Sequence, residues 1–332
     1  MAIYVEHPSS YEHDTGAHPE NAGRLRAIEA AIEAAGGLGL ERCEAPPATP
    51  EQLERVHSAA HVRAIESLSE QGGGAIDLDT VASAGSYAAA LHAAGGAAWA
   101  ARAVLADGRR QTAFCGLRPP GHHAETARAM GFCLFNNVAV AAAEALEVGA
   151  ERVLVLDWDV HHGNGTEEIF AADPRVLYVS IHQWPLYPGT GPAEYTGEGE
   201  GEGYTINLPV APGAGTEEFR ALVEHVVVPV ALRFAPGLVA ISAGYDGHRE
   251  DPLSSCLLDE DAYAEMAASM RELAAELEAP TLVCLEGGYA PRALAASVVA
   301  TIEALDGDRG PSPAPREAAE PHLARLAERW EL

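Results

Sequence analysis

Seven short apolar runs, separated by longer stretches of helical periodicity, leave this chain few ways to fold. The runs are Ile3–Glu6, Thr112–Gly116, Val153–Asp157, Val176–Ile181, Tyr204–Leu208, Leu238–Ser242 and Thr281–Leu285. Several are unbroken Val/Ile/Leu, the pattern of strands buried on both faces. Helices are predicted at Glu20–Ala35, Ser58–Glu70, Ser83–Ala106, Asn136–Val148, Gly165–Ala171, Glu217–Phe234, Asp259–Leu277 and Ala290–Leu305, with Thr216 and Asp259 as caps. Such alternation predicts an α/β fold: a mostly parallel sheet with helices on both faces. Thr196–Gly203 reads as a surface loop. From Asp306 the sequence reads as a linker, then an amphipathic helix around Pro321–Trp330. We expect one domain over residues 1–305, with an appendage over 306–332.

In a parallel α/β sheet, ligands bind beyond the carboxyl ends of the strands. Five of the runs are followed there by chemistry-bearing residues. Arg118-Pro119-Pro120-Gly121-His122-His123 follows the second run, and Trp158-Asp159-Val160-His161-His162 follows Asp157. His182, Tyr245-Asp246 and Glu286-Gly287-Gly288-Tyr289 follow three others. Asp159 and His161 are two apart, so an extended segment puts both on one side. With Asp246 from another strand they make three N/O ligands and an open position, the pattern of a catalytic zinc site. Strand-terminal acids also cap helices, but flanking histidines and a distant third acid favour the metal.

Adjacent His122 and His123 suit proton transfer near neutrality, because imidazole titrates there. Asp157 and Asn164 are the available groups to hold the two rings. Tyr289, after two glycines at a strand end, can offer its phenol to a developing oxyanion. A thiolate metal site is not expected: the five cysteines include no C-x-x-C pair, and Cys115 and Cys284 lie in apolar runs.

As an ordered set these residues resemble the histone deacetylase superfamily, over about Ile3 to Leu305. The set is His13-Asp14-Thr15-Gly16-Ala17-His18-Pro19-Glu20, Arg118–Ala124, Gly131-Phe132-Cys133-Leu134-Phe135-Asn136-Asn137, Asp157–Thr166, Ser242–Asp246 and Leu285–Tyr289. The resemblance implies the arginase/deacetylase fold and zinc on Asp159, His161 and Asp246, with iron(II) as an alternative metal. It makes His123 the proton shuttle, His122 its electrostatic partner, and Tyr289 the carbonyl-polarising group. Phe132 and Tyr187 would wall an acyl-lysine tunnel, the Gly131 carbonyl would meet the substrate amide, and Asp79 would hold the substrate backbone at the rim. Arg24 matches a basic residue near the acetate exit. The resemblance also implies a structural potassium ion on Asp157 and Ser180, with main-chain oxygens of Asp159, His161 and Ile181. An outer monovalent site would use main-chain oxygens near Phe170, Asp173, Val176 and Tyr204. Asn164, Trp158 and Glu286 match the class II-like pattern of the superfamily.

Substrate is the open question. An acylated lysine side chain in a protein or peptide is favoured, with acylated polyamines as the alternative. The net charge of −28, with all 21 basic side chains arginine, would attract polyamines. However, by the resemblance, polyamine-selective relatives in one branch carry Glu where this chain has Leu253, while another branch gains its selectivity through dimerisation loops. An arginase-type two-metal site is disfavoured, because the later strand offers Asp246-Gly247-His248 rather than a second Asp. The acidic balance also argues against direct nucleic-acid binding. The N-terminus, Met1–Glu6, has no basic region or long apolar stretch, so we expect a cytoplasmic protein with no membrane segment.

Overall fold

The computed structural model describes residues 2–106, 112–308 and 310–331. Arg309, within the expected linker, lies outside them. In chain order the strands are β1 (Ile3–Glu6), β2 (Glu41–Glu44), β3 (Gly73–Ala75), β4 (Val81–Ser83), β5 (Thr112–Cys115), β6 (Val153–Asp157), β7 (Val176–Gln183), β8 (Thr205–Val210), β9 (Leu238–Ala243) and β10 (Thr281–Leu285). The helices are α1 (Gly23–Ala34), α2 (Pro50–Glu54), α3 (Ala59–Glu70), α4 (Ser86–Ala106), α5 (Asn137–Glu147), α6 (Asn164–Phe170), α7 (Thr216–Leu222), α8 (Val228–Phe234), α9 (Glu260–Leu277), α10 (Pro291–Asp306) and α11 (Glu320–Trp330).

Eight strands form one sheet in the order β2-β1-β5-β10-β9-β6-β7-β8, every pair parallel. Side chains alternate between its two faces. Tyr4, Phe114, Leu154, Leu156, Val239 and Val283 pack on one side with α1 and α7 to α11. Ile3, Val5, Ala113, Val153, Val155 and Leu282 pack on the other with α2 to α5. This double burial is why the runs are apolar throughout rather than alternating. The four central strands, β5, β10, β9 and β6, are adjacent, so the four segments that follow them emerge side by side.

Three local expectations need correction. Residues 217–234 are not one regular helix: α7 gives way to a π turn at Val223–Val227 before α8. Pro229 has no amide to donate, and in a regular helix its ring would crowd the carbonyl four residues back. The wider turn, closed by Val228 N–H on the Val223 carbonyl, relieves this. Thr216 is the first helical residue rather than the cap; Gly215 takes that position, and its N–H donates to Glu218 Oε2 (3.0 Å). Asp259 does cap α9 through Ala262 N–H (3.2 Å). Third, β2 and the antiparallel β3–β4 hairpin go unanticipated.

The C-terminal helix α11 buries Leu323, Leu326 and Trp330 in the main core. Trp330 stands edge-on to Tyr204, 5.9 Å between ring centroids. Among the described residues, no helix is long and apolar enough to cross a membrane.

Candidate metal centre and tunnel

Beyond β6 the chain bends at Asp159, Val160 and His161, yet its side chains keep alternating. Trp158 and Val160 are fully buried in the core, while Asp157, Asp159 and His161 face the opposite way. Each acid helps set the next turn: Asp157 Oδ1 accepts from Asp159 N–H (3.2 Å), and Asp159 Oδ1 from His161 N–H (2.9 Å). From the end of β9, Asp246 reaches across. Its Oδ1 accepts from Val160 N–H (3.0 Å), and its Oδ2 lies 2.9 Å from His161 Nδ1. Asp159 Oδ1 lies 3.3 Å from the same nitrogen. Gly287, beyond β10, donates its N–H to Asp159 Oδ2 (2.8 Å).

One ligand atom from each of Asp159, His161 and Asp246 lies within 4.8 Å of the others, and all three residues are buried. This is the one such group among the described residues. Burial disfavours charge on His161, yet Asp246 and Asp159 outweigh it and push the imidazole up to about 10. Two buried carboxylates favour positive charge at this point, and one imidazole with two carboxylates could hold a metal ion. The neighbouring backbone also leaves room. A Cβ on Gly244 would lie 2.0 Å from Asp159 Oδ2, and one on Gly287 would lie 2.1 Å from Asp246 Oδ2. Only glycine permits the carboxylates to sit where they do.

The His122-His123 turn follows β5. Glu286 Oε2 accepts from the N–H groups of Gly121 (2.7 Å) and His122 (3.1 Å). Asp157 Oδ2 lies 3.0 Å from His122 Nδ1 and also accepts from the Tyr178 hydroxyl (3.0 Å). His123 Nδ1 lies 2.8 Å from Asn164 Oδ1. The Asn164 amide is oriented by its NH₂ group, which donates to Glu125 Oε1 (2.7 Å). An amide oxygen only accepts, so a neutral His123 carries its proton on Nδ1 and leaves Nε2 basic. The two rings, 4.0 Å apart, are driven in opposite directions. Burial opposes charge on His122, but Asp159, then Asp157 and Glu286, push it up to about 10. Burial, then His122 and His161, hold His123 well below its ordinary value. Burial, aided by Asp157, in turn pushes Glu286 up to about 7 against His122 and the two amides.

His123 and His161 open onto a cavity of about 200 Å³. Phe132, Tyr187, Leu186, Leu253, Tyr289, Asp79 and Gly131 line it with them. Phe132 adopts φ +69°, a left-handed conformation rare for an aromatic residue. Such strain persists only where the surroundings impose it. Here the Phe132 ring is held edge-on between His18 (4.5 Å) and Tyr289 (5.6 Å), and its N–H donates to Thr80 Oγ1 (3.1 Å). Tyr187 stands edge-on to His123 at 5.2 Å. Asp79 sits in the β3–β4 loop, where Asp77 Oδ1 accepts from its N–H (3.1 Å) and from Thr80 N–H (2.7 Å).

The structure therefore brings together His122, His123, Tyr289, Asp159, His161, Asp246, Asp157 and Asn164, and puts Asp79, Gly131, Phe132 and Tyr187 on the cavity above them. Ser180 pairs with Asp157 across β6 and β7, but its hydroxyl engages His182 Nδ1 (2.9 Å). Ile181 follows it, packed in the core. His162, which has no expected role, binds Glu167 (3.1 Å) and Thr190 (2.8 Å). Arg24 is wholly buried. It donates to the carbonyls of Gly288 (2.6 Å) and Glu286, and pairs with Glu20 (3.1 Å), which also pairs with Arg118. Sequence reading missed Glu125, Tyr178 and Asp251 as partners of site residues. The one available signal was proximity: Glu125 is two residues from His123, and Asp251 five from Asp246.

A parallel α/β sheet whose central strand ends bring three candidate metal ligands and paired histidines to one cavity has the arginase/deacetylase architecture. Residues 18–305 match the histone deacetylase domain, and the chain belongs to that family. A probable deacetylase of Archaeoglobus fulgidus is 43% identical over 292 residues, covering 86% of this chain and 80% of that protein. Histone deacetylase 15 of Arabidopsis thaliana is 42% identical over 307 residues, covering 90% of this chain and 55% of that protein. A histone deacetylase-like amidohydrolase of Pseudomonas aeruginosa is 40% identical over 297 residues, covering 88% and 78%. The crystal structure of the HDA15 HD domain superposes with a TM-score of 0.91 at 38% identity, covering 99% of this chain and 95% of that one. The protein is a deacetylase-family amidohydrolase, which implies an acetylated substrate.

Proposed function

We propose that the protein is a zinc-dependent deacylase that removes acetyl or other short acyl groups from the ε-amine of lysine in proteins or peptides. One observation carries this reading. The Asp159–His161–Asp246 group lies at an aromatic-walled cavity, next to His122 held on Asp157 and His123 held on Asn164. A zinc ion on those three side chains supplies Lewis acidity, polarising the acyl carbonyl and acidifying water beside it.

The remaining chemistry belongs to the chain. His123, neutral and basic at Nε2, accepts the proton of the attacking water and returns it to the departing amine. His122, held on Asp157, would stabilise negative charge as it develops. Asn164 holds His123 in the required tautomer. Tyr289 donates a hydrogen bond from its hydroxyl to the carbonyl oxygen as that oxygen becomes anionic. Phe132 and Tyr187 enclose the aliphatic stem, the Gly131 carbonyl meets the substrate amide N–H, and Asp79 at the rim takes the substrate backbone. Iron(II) suits the same ligands, and a potassium ion by Asp157 and Ser180 completes the account. A cytoplasmic location fits the composition.

Leu253 supports the lysine reading over polyamines. It gives the wall an apolar side chain where the inner ammonium of a polyamine would need an anion. Asp79 and the net charge of −28 are what favour the polyamine reading. The decisive assay compares kcat/KM on acetyl-lysine peptides and on acetylated polyamines with the zinc-loaded protein. We expect at least about a tenfold preference for the peptide, about 1.4 kcal/mol. A preference of that size for the polyamine would reverse the assignment, and inactivity toward both would refute it.

A further inference from the structure

Asp251 lies in the segment that follows the Asp246 ligand, and it is buried, with 7% exposure. Both its oxygens are engaged. Oδ1 accepts from Leu253 N–H (3.0 Å), a local turn across two residues. Oδ2 accepts from Tyr289 N–H (2.6 Å), 38 residues away. Leu253 and Tyr289 both line the cavity above the metal centre. One carboxylate therefore ties a wall of the cavity to the backbone that carries the phenol.

That backbone needs holding. Tyr289 follows Gly288, whose φ of +120° belongs to a conformation other residues rarely adopt. The α10 cap that follows, Ala290, makes no side-chain cap bond. Arg24 grips the loop from its carbonyl side, at Glu286 and Gly288. Asp251 grips it from its amide side. We propose that Asp251 is a positioning residue, which fixes the Tyr289 phenol over the acyl carbonyl and couples its placement to the cavity wall at Leu253. This rests on the role given to Tyr289 above.

The carboxylate is needed because two N–H groups must be accepted at once. Asparagine offers one acceptor, so keeping the local turn aims its NH₂ group at the Tyr289 N–H. Serine keeps the local turn and is too short to reach Tyr289. Misplacing a reacting group by about 1 Å costs about 100-fold in rate.

The test uses the full-length, zinc-loaded protein and an acetyl-lysine peptide. D251N, D251S, Y289F and the two double variants are assayed for kcat and KM, with zinc content and melting temperature measured for each. We expect D251N and D251S to lower kcat by about 10- to 100-fold, with KM within about threefold and one zinc retained. In the Y289F background the same changes should cost less than about threefold, because the group they misplace is already gone. Undiminished losses in that background would overturn the proposal while leaving the role of Tyr289 intact. Loss of zinc, or failure of both Asp251 variants to fold, would overturn it in favour of a structural role. If Y289F alone left kcat unchanged, the role of Tyr289 would fall, and this inference with it.

Discussion

Replacing Gly287 by alanine should empty the metal centre without unfolding the protein. Gly287 does not have a positive φ, so alanine adopts the same backbone without strain. Its amide, which donates to Asp159, is kept. The added Cβ is the entire perturbation. It would lie 2.1 Å from Asp246 Oδ2 and 2.6 Å from Asp159 Oδ2, where ordinary contact begins at 3.4 Å. Asp246 must therefore retreat by about 1 Å, while metal–ligand distances tolerate only about 0.2 Å. Two of three ligands are affected at once, so zinc affinity should fall by at least about 100-fold, about 2.7 kcal/mol. Overpacking should cost only about 1–3 kcal/mol of folding stability. The assay is competition with a chromophoric chelator, with metal content per chain measured after dialysis. Gly237→Ala is the control: its Cβ meets nothing closer than 3.8 Å, and it should bind zinc as the wild type does. A folded G287A protein with wild-type zinc affinity would show that Asp246 and Asp159 do not hold the metal together.

Two further outcomes follow from groups away from the metal. His57 Nε2 accepts from Asn136 N–H (2.8 Å) and its Nδ1 faces the Glu125 carbonyl (3.0 Å), so a second proton has no place. Burial, then His61, hold it down to about 3. Below pH 6.5 the unfolded chain binds this proton and the folded chain does not, so its contribution is intact above pH 6.5 and is lost from there down to about pH 3. Between pH 7.5 and 5.5 His57→Gln should lose about 1.4 kcal/mol less stability than wild type, by denaturant unfolding at each pH. An equal loss in both proteins would refute this. Trp330→Ala should cost about 3 kcal/mol of stability by the same method, with kcat/KM unchanged; an unmoved unfolding midpoint would mean that α11 contributes nothing to the core.

What the sequence made legible follows from burial. β5, β6, β7, β9 and β10 are apolar because both faces are covered, and their ends could be read directly. Asp159, His161 and Asp246 could be grouped because parallel strands deliver their carboxyl ends to one rim. β2 carried no such signal: Glu41-Arg42-Cys43-Glu44 is an edge strand with mostly exposed side chains. The β3–β4 hairpin is three residues a side and begins on two glycines, so periodicity had nothing to register. The π turn before α8 leaves the helical pattern of residues 217–234 intact, and Pro229 was its one trace. Partners such as Glu125 to Asn164, or Asp251 to Tyr289, depend on the path of loops rather than on strand order. The left-handed Phe132 is likewise a product of tertiary contacts, not of local preference.

The central claim is a single-metal deacylase centre on Asp159, His161 and Asp246. Its most direct test is to strip the protein of metal and titrate zinc back while following hydrolysis of an acetyl-lysine peptide. Activity should rise linearly to a plateau at one zinc per chain, and Asp246→Ala should abolish both the binding and the activity. Full activity in the stripped protein, a plateau at two metals per chain, or an inert protein carrying one bound zinc would contradict it.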